Sequence, residues 1–180
     1  MGIVAETPRL RLRHFTVKDA PFILRLLNEP SFIENIADRG VRTLDAARDY
    51  LLGGPMKSYE RNGFGLNCVV LKERRLPIGM CGLIKRDTLE HPDLGYAFLP
   101  EHWSKGYALE AAAEMMVKAE GAFGMKRVVA ITSVGNDRSI RLLERLGFRY
   151  EGLITLGNDP EEVKLFAWTP GHDSSAEGAQ

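Results

Sequence analysis

Five residues, Ser104-Lys105-Gly106-Tyr107-Ala108, carry the chemistry most easily read from this sequence. They follow a short apolar run at 94–99 (LGYAFL), which Pro100 ends by removing a backbone donor. They precede a long helical pattern. The start of a helix exposes unpaired amide N–H groups and the positive end of its dipole. Gly106 has no side chain and Ala108 a very small one, so an anion can approach the backbone, and Lys105 adds a charge beside it. That is a seat for a pyrophosphate. It is equally a strand-to-helix turn that binds nothing. Neither common nucleotide fingerprint is present: there is no Gly-x-Gly-x-x-Gly, and no Lys-Ser/Thr pair after a glycine-rich loop.

Other reactive side chains narrow the field. Cys68 and Cys81 each sit inside an apolar, strand-like run, without metal-ligand spacing or a histidine neighbour. They read as buried free thiols of a reducing, cytoplasmic setting, and no metal is expected. Twenty-four basic and 24 acidic residues give a formal net charge of zero, which argues against a general nucleic-acid binder. No apolar run approaches the roughly 18 residues of a membrane span, and the N-terminus lacks a signal-peptide pattern. Glu6 stands where a myristoylation motif beginning at Gly2 needs Ser or Thr. The 180 residues suit one domain with a sizeable core, spanning 1–170, followed by a small polar tail at 171–180 that is expected to be disordered.

The elements that must position the loop follow from periodicity. Residues 10–14 (LRLRH) alternate as a half-buried strand. Thr16 reads as an N-cap with Asp19 completing a variant capping box, and Phe22, Ile23, Leu26 and Leu27 form the stripe of the helix that follows. A second helix starts after Thr43, and Gly53-Gly54-Pro55 is expected to interrupt it. Residues 64–71 and 78–85 read as an antiparallel pair around a charged hairpin. The long helix spans about 106–121, with its methionines as core filling. Residues 127–132 (RVVAIT) form a buried strand, Asn136 caps a helix at 137–146, and Gly147 ends it. Residues 148–156 and 163–169 close the chain as strands. The result is an α/β mixed sheet of about seven strands with helices on both faces. A right-handed crossover places residues 104–108 at the carboxyl end of the central strand, where open α/β sheets put ligands.

Two stretches in this order, GYAFLPEHWSKGYALEA (95–111) and NDRSIRLLERLGF (136–148), resemble the GNAT N-acetyltransferase superfamily. More narrowly, with TPRLRLRHFTVKDA at 7–20, the chain is similar to the branch of the ribosomal-protein alanine acetyltransferases RimJ and RimL. The resemblance covers roughly 7–169. It implies the acyl-CoA N-acyltransferase fold, mostly antiparallel with splayed central strands. It implies acetyl-CoA as donor and an amine as acceptor, either a small amine or a peptide N-terminus. It implies no nucleic-acid or membrane partner, and a monomer or homodimer. Backbone amides at Ser104, Lys105, Gly106, Tyr107 and Ala108 would hold the pyrophosphate. The strand edge at Phe98 and Leu99 would pair with pantetheine, and Asn136 and Ser139 would flank the thioester arm. Trp103 replaces a frequent Gln or Arg.

On that resemblance the chemistry is direct attack in a ternary complex. An alkyl amine with a pKa near ~10 must lose a proton, and the oxyanion and departing thiolate must be stabilised. A backbone N–H near Phe98 or Leu99 is expected at the oxyanion. Many relatives place a tyrosine acid where this chain has Leu143, so Ser139 is its expected substitute. Asp93 is the preferred base, with Glu101, His91, His102 or a water chain as alternatives, while Glu110 reads as structural. Acidic residues at 29–38 and 159–162 suit a cationic amine, or are simply charged loops. A non-catalytic acyl-CoA sensor on the same fold and a nucleotide-binding regulator are the rival readings.

Overall fold

A computed structural model describes residues 2–171, so nearly all of the expected tail lies outside the described residues. Eight strands form one sheet in the order β1-β2-β3-β4-β5-β6-β8-β7. They are β1 (Ile3–Glu6), β2 (Leu10–Arg13), β3 (Leu66–Leu71), β4 (Leu76–Ile84), β5 (Asp93–Phe98), β6 (Val128–Ser133), β7 (Arg149–Thr155) and β8 (Glu162–Trp168). The strand absent from the sequence reading is β1, a short edge strand whose pairing with β2 is irregular between Ile3 and Ala5. Every pairing is antiparallel except β5 with β6.

The helices are α1 (Ala20–Leu27), α2 (Pro30–Asn35), α3 (Leu44–Leu51), α4 (Lys57–Asn62), α5 (Tyr107–Glu120) and α6 (Asp137–Arg145). Their ends follow local chemistry. Asp19 accepts the Thr16 N–H at 2.9 Å, and the Thr43 hydroxyl caps α3 by accepting the Ala46 N–H at 3.1 Å. Gly147, at φ +88°, terminates α6 as expected. Gly53-Gly54-Pro55 does not break the chain after α3. The helix widens into a π turn, Leu52–Met56, and runs on into α4. The wider turn seats Pro55 without its missing N–H ending the helix.

Two cores lie on opposite faces of the sheet. On one face α5 and α6 cover Leu10, Ile78, Leu83, Leu94 and Phe98 with Ala112, Met115 and Leu143. On the other, α1, α2 and α3 pack Ile23, Leu27, Phe32 and Leu51 against Cys68, Met80, Ala97 and Leu99. Both cysteines are free and buried, and burial pushes the Cys68 thiol up to about 12. A salt-bridged corner holds β2 to α1: Arg13 donates to both carboxylate oxygens of Asp19 at 2.8 and 2.9 Å.

The feature that creates a site is the β5–β6 pair. Its only register partners are Asp93 and Val129, and the Val129 N–H donates to the Pro92 carbonyl at 3.0 Å. Beyond that contact the strands part. β6 turns to β8, which pairs with it along Val128–Ser133. β5 is held on its other edge by β4 from Asp93 to Phe98.

Candidate active site

The parting strands open a cleft of about 1010 Å³ that passes through the sheet. One end lies between the starts of α5 and α6, and the other faces α2 and α3.

The α5 end is built from backbone. Ser104 and Gly106 both take left-handed conformations, at φ +60° and +81°. The Glu110 N–H is the first to return a helical bond, to the Gly106 carbonyl at 3.0 Å. The N–H groups of Tyr107, Ala108 and Leu109 are therefore the orphan donors of the helix start. A Cβ on Gly106 would lie 3.2 Å from Arg9 Nη2. Arg9 also donates to the Lys105 carbonyl at 2.8 Å and to Glu110 at 2.6 Å, with its guanidinium over the Tyr107 ring. Glu110 further accepts from Thr7 and from the Arg9 N–H, so its role is to brace the loop. From α6, Arg138 donates to Ser104 Oγ at 3.2 Å and stacks over Trp103 at 4.6 Å. Arg138, Arg141 and Arg145 line the cleft along one face of α6 and make no ion pair among the described residues. This end therefore offers free amides and uncompensated positive charge together.

The middle of the cleft is the opened edge of β5. The Leu99 N–H donates to the Ile78 carbonyl of β4 at 2.9 Å, so it is not available to a ligand. Alternation along an antiparallel strand then directs the Tyr96 and Phe98 backbone groups toward β6, where no strand remains opposite. Of the pair Phe98 and Leu99, only Phe98 presents its amide to the cleft. The Phe98 carbonyl accepts the Trp103 indole N–H at 2.8 Å, which ties the end of β5 to the loop. On β6 the Thr132 hydroxyl is buried and has no partner among the described residues, and His102 Nδ1 is orphaned in the same way nearer the loop. Both residues line the cleft. Buried polar atoms without partners are rare, and one lining a cavity is a place for a ligand atom.

Ser139 lies where expected, in the first turn of α6. Its N–H donates to Asn136 Oδ1 at 3.3 Å, so that oxygen caps the helix, while Asn136 also lines the cleft. The Ser139 hydroxyl is bonded instead to the Tyr96 hydroxyl. Burial pushes the Tyr96 phenol up, against the Ser139 bond, so it stays protonated at neutral pH. The sequence reading missed Tyr96. The available signal was its place in β5, two residues from Phe98, on the same face. Leu143, by contrast, is fully buried in the α5–α6 core and does not face the cleft.

Asp93 sits at the vertex where the strands separate. Its side chain is 1% exposed and accepts from Arg86 Nε at 3.0 Å. Burial raises its pKa above the usual carboxylate value, with Arg86 opposing. Of the alternative bases, Glu101 and His91 lie outside the cleft lining, whereas His102 is part of it. Glu101 is exposed and paired with Arg25 at 2.5 Å. His91 stands in the β4–β5 connection beside Glu90. Burial lowers the pKa of His102, which lies at the loop end. The acidic regions flagged in the sequence do wall the α2 end, through Glu34, Asp38, Asp159 and Glu161.

The same fold recurs in known proteins. The family model described as an acetyltransferase (GNAT) domain matches residues 9–149. The chain belongs to the GNAT acetyltransferase family. This GNAT chain is 27% identical over 153 residues to YoaA of Bacillus subtilis strain 168, an uncharacterised N-acetyltransferase, covering 84% of the chain and 85% of that protein. An acetyltransferase of the GNAT family from Bacillus anthracis superposes with a TM-score of 0.75 at 25% identity, covering 94% of this chain and 98% of that one. RimL, the ribosomal L7/L12 α-N-protein acetyltransferase solved in complex with coenzyme A, shares the fold at a TM-score of 0.81 and 17% identity, covering 95% of this chain and 99% of its own. GNAT membership makes the chain an acyltransferase.

Proposed function

We propose that this GNAT protein transfers the acetyl group of acetyl-CoA to a primary amine by direct attack within a ternary complex. The observation that carries the reading is the opened β5 edge. It is a strand whose Tyr96 and Phe98 amides face a cleft, with an anion seat at one end and a hydroxyl pair beside it. The residues fit CoA. Gly106 leaves the space a Cβ would take, and Thr132 offers a buried hydroxyl without a partner among the described residues. The amides of Tyr107 to Leu109 and the Arg138, Arg141 and Arg145 charges suit the phosphates. Coenzyme A bound to the RimL neighbour supports the same choice.

Each residue then has a task. The amine enters from the α2–α3 face as an ammonium and loses a proton to Asp93, whose raised pKa makes it a stronger base than an ordinary carboxylate. The amine nitrogen attacks the thioester carbonyl. The Phe98 N–H stabilises the resulting oxyanion, because it is fixed in the strand before reaction and needs no reorganisation. The C–S bond breaks and the thiolate takes a proton from Ser139, which Tyr96 re-supplies through their shared bond; the second proton lost by the amine nitrogen restores the Tyr96 phenol through solvent, and Asp93 releases the first to bulk water. The products are the N-acetyl amine and free CoA. The cysteines have no part in this, since burial holds both as thiols.

The test is calorimetry with acetyl-CoA followed by thiol release over an amine panel. Binding with turnover supports the transferase. Binding without turnover on any amine or peptide N-terminus favours the sensor alternative, and absence of binding removes the assignment of residues 104–108 to the pyrophosphate.

A further inference from the structure

The α2–α3 end of the cleft holds two arginines, Arg39 and Arg86, that the transfer chemistry does not use. Arg86 enters it from the β4–β5 connection, with its side chain 27% exposed. A guanidinium has five donors in a planar fork. Asp93 accepts the Arg86 Nε–H bond at 3.0 Å, and neither terminal nitrogen of Arg86 bonds a protein group among the described residues. Tyr50, on α3, lines the same wall, and its hydroxyl makes no hydrogen bond among the described residues. Burial raises the Tyr50 pKa, and the charges of Arg39 and Arg86 oppose that rise, so both guanidiniums lie within electrostatic reach of the phenol. Arg39, in the loop after α2, lines the cleft and has no ion pair among the described residues.

The same end also carries acids. Asp38 is committed to Arg42 through two bonds of 2.7 and 2.8 Å. Asp159 accepts the Glu161 N–H at 3.0 Å, a bond that leaves its charge in place. Glu34 and Glu161 border the same end. The end is therefore not positive overall. What sets Arg86, Arg39 and Tyr50 apart is that they bring spare hydrogen-bond donors into the cleft, which the oxygens of an acceptor can satisfy.

Resting on the transferase reading, we propose that the acceptor is an amino carboxylate such as a free amino acid, its carboxylate received by Arg86, Arg39 and Tyr50 while its amine lies at Asp93. The Asp93–Arg86 contact of 3.0 Å sets the spacing. Groups that meet those two side chains at once lie only a few bonds apart, as the amine and carboxylate of an α- or β-amino acid do. A bidentate Arg–carboxylate pair is strong and planar, and a simple amine or an amide cannot reproduce it. A peptide N-terminus presents an amide carbonyl in that place.

The experiment compares each of the standard amino acids with its amide and its decarboxylated amine as acceptors, using acetyl-CoA and thiol release. The expected result is at least one amino acid whose kcat/KM exceeds that of its amide and amine by about 10- to 100-fold, the range of hydrogen bonds to a charged group. Arg39→Ala and Tyr50→Phe each shrink that ratio. Amides or peptide N-termini turning over as well as the free amino acids overturn the proposal. A second measurement does not depend on turnover. The Arg Nε–H resonances of the CoA-loaded protein are followed while N-acetyl amino acids or their amides are added. Movement of the Arg86 resonance with the acids and not the amides supports the site. No movement with any of them overturns it, even if acetyl-CoA binds and other amines react. Failure of acetyl-CoA to bind at all is the separate failure of the transferase reading.

Discussion

Replacing Tyr96 with phenylalanine removes one oxygen and leaves the ring in place, so no cavity forms in the α5–α6 core. The lost bond joins two neutral hydroxyls and is worth about 0.5–1.5 kcal/mol to stability. That corresponds to a fall in Tm of about 1–6 °C for a chain of this size. The kinetic effect is larger if Tyr96 feeds protons to Ser139. General acid catalysis contributes about 100-fold or more, and a thiolate is a fair leaving group, so Ser139→Ala is placed near the low end of that range. Tyr96→Phe should then slow single-turnover thiol release by about 10- to 100-fold, or about 1.4–2.7 kcal/mol, with acetyl-CoA affinity changed less than about twofold. Because Tyr96 acts through Ser139, the double variant should be no slower than Ser139→Ala alone. The Tyr96 phenol does not ionise near neutral pH, so the acid limb of the pH–rate profile should stay in place in the single variant. Wild-type rates in Tyr96→Phe, or a double variant whose losses multiply, would refute the relay and leave Tyr96 as a brace that fixes α6 to β5.

Four other changes probe the rest of the molecule. Gly106→Glu sets a charged side chain at φ +81° in the anion seat, and should weaken acetyl-CoA by about 100-fold in calorimetry while costing about 1–2 kcal/mol of stability. Gly82→Ala places a Cβ 2.0 Å from the Gly65 carbonyl and 2.9 Å from Leu66 Cα, both backbone, and should cost about 3 kcal/mol, seen as a Tm lower by about 6–12 °C. Asp93→Asn should abolish the rise of turnover with pH through the raised pKa of Asp93 while acetyl-CoA still binds. For Asp19, burial alone would raise the pKa, but the Arg13 and Thr16 bonds outweigh it and hold the value low. Its stabilisation is therefore complete above the ordinary carboxylate pKa and lost as pH falls through the lower folded value. Asp19→Asn should cost about 2–3 kcal/mol at pH 7 and flatten the acid limb of a urea-stability series below about pH 4.

The parts of this protein written in local chemistry were legible in its sequence. Thr43, Asn136 and Gly147 mark helix ends because capping depends on one or two residues. The loop at 104–108 was legible for the same reason. Long-range pairing was not. β1 is four residues with no clean alternation, so nothing local marks it as a strand. The π turn at Leu52–Met56 reads locally as a break, because Gly-Gly-Pro disfavours an α-helix, and only packing carries the helix through. Within the site, the partner of Ser139 was hidden because Tyr96 lies 43 residues away, on another element. The loss of Leu99 as an amide donor depends on register with Ile78, which no periodicity in β5 reveals.

The position of β8 between β6 and β7 bears on how the protein comes to exist. β6 forms one wall of the cleft, touches β5 at a single pair, and takes six pairings from β8. A nascent chain that has released α6 from the ribosome already contains every residue proposed to act on acetyl-CoA, yet its sixth strand has no ladder to join. The wall closes only when Glu162–Trp168 emerge and slide in beside it. The cleft is thus incomplete until Glu162–Trp168 have been made. A fragment cut where the family match stops, at residue 149, would carry the proposed catalytic residues and lack the strand that holds the β6 wall beside them.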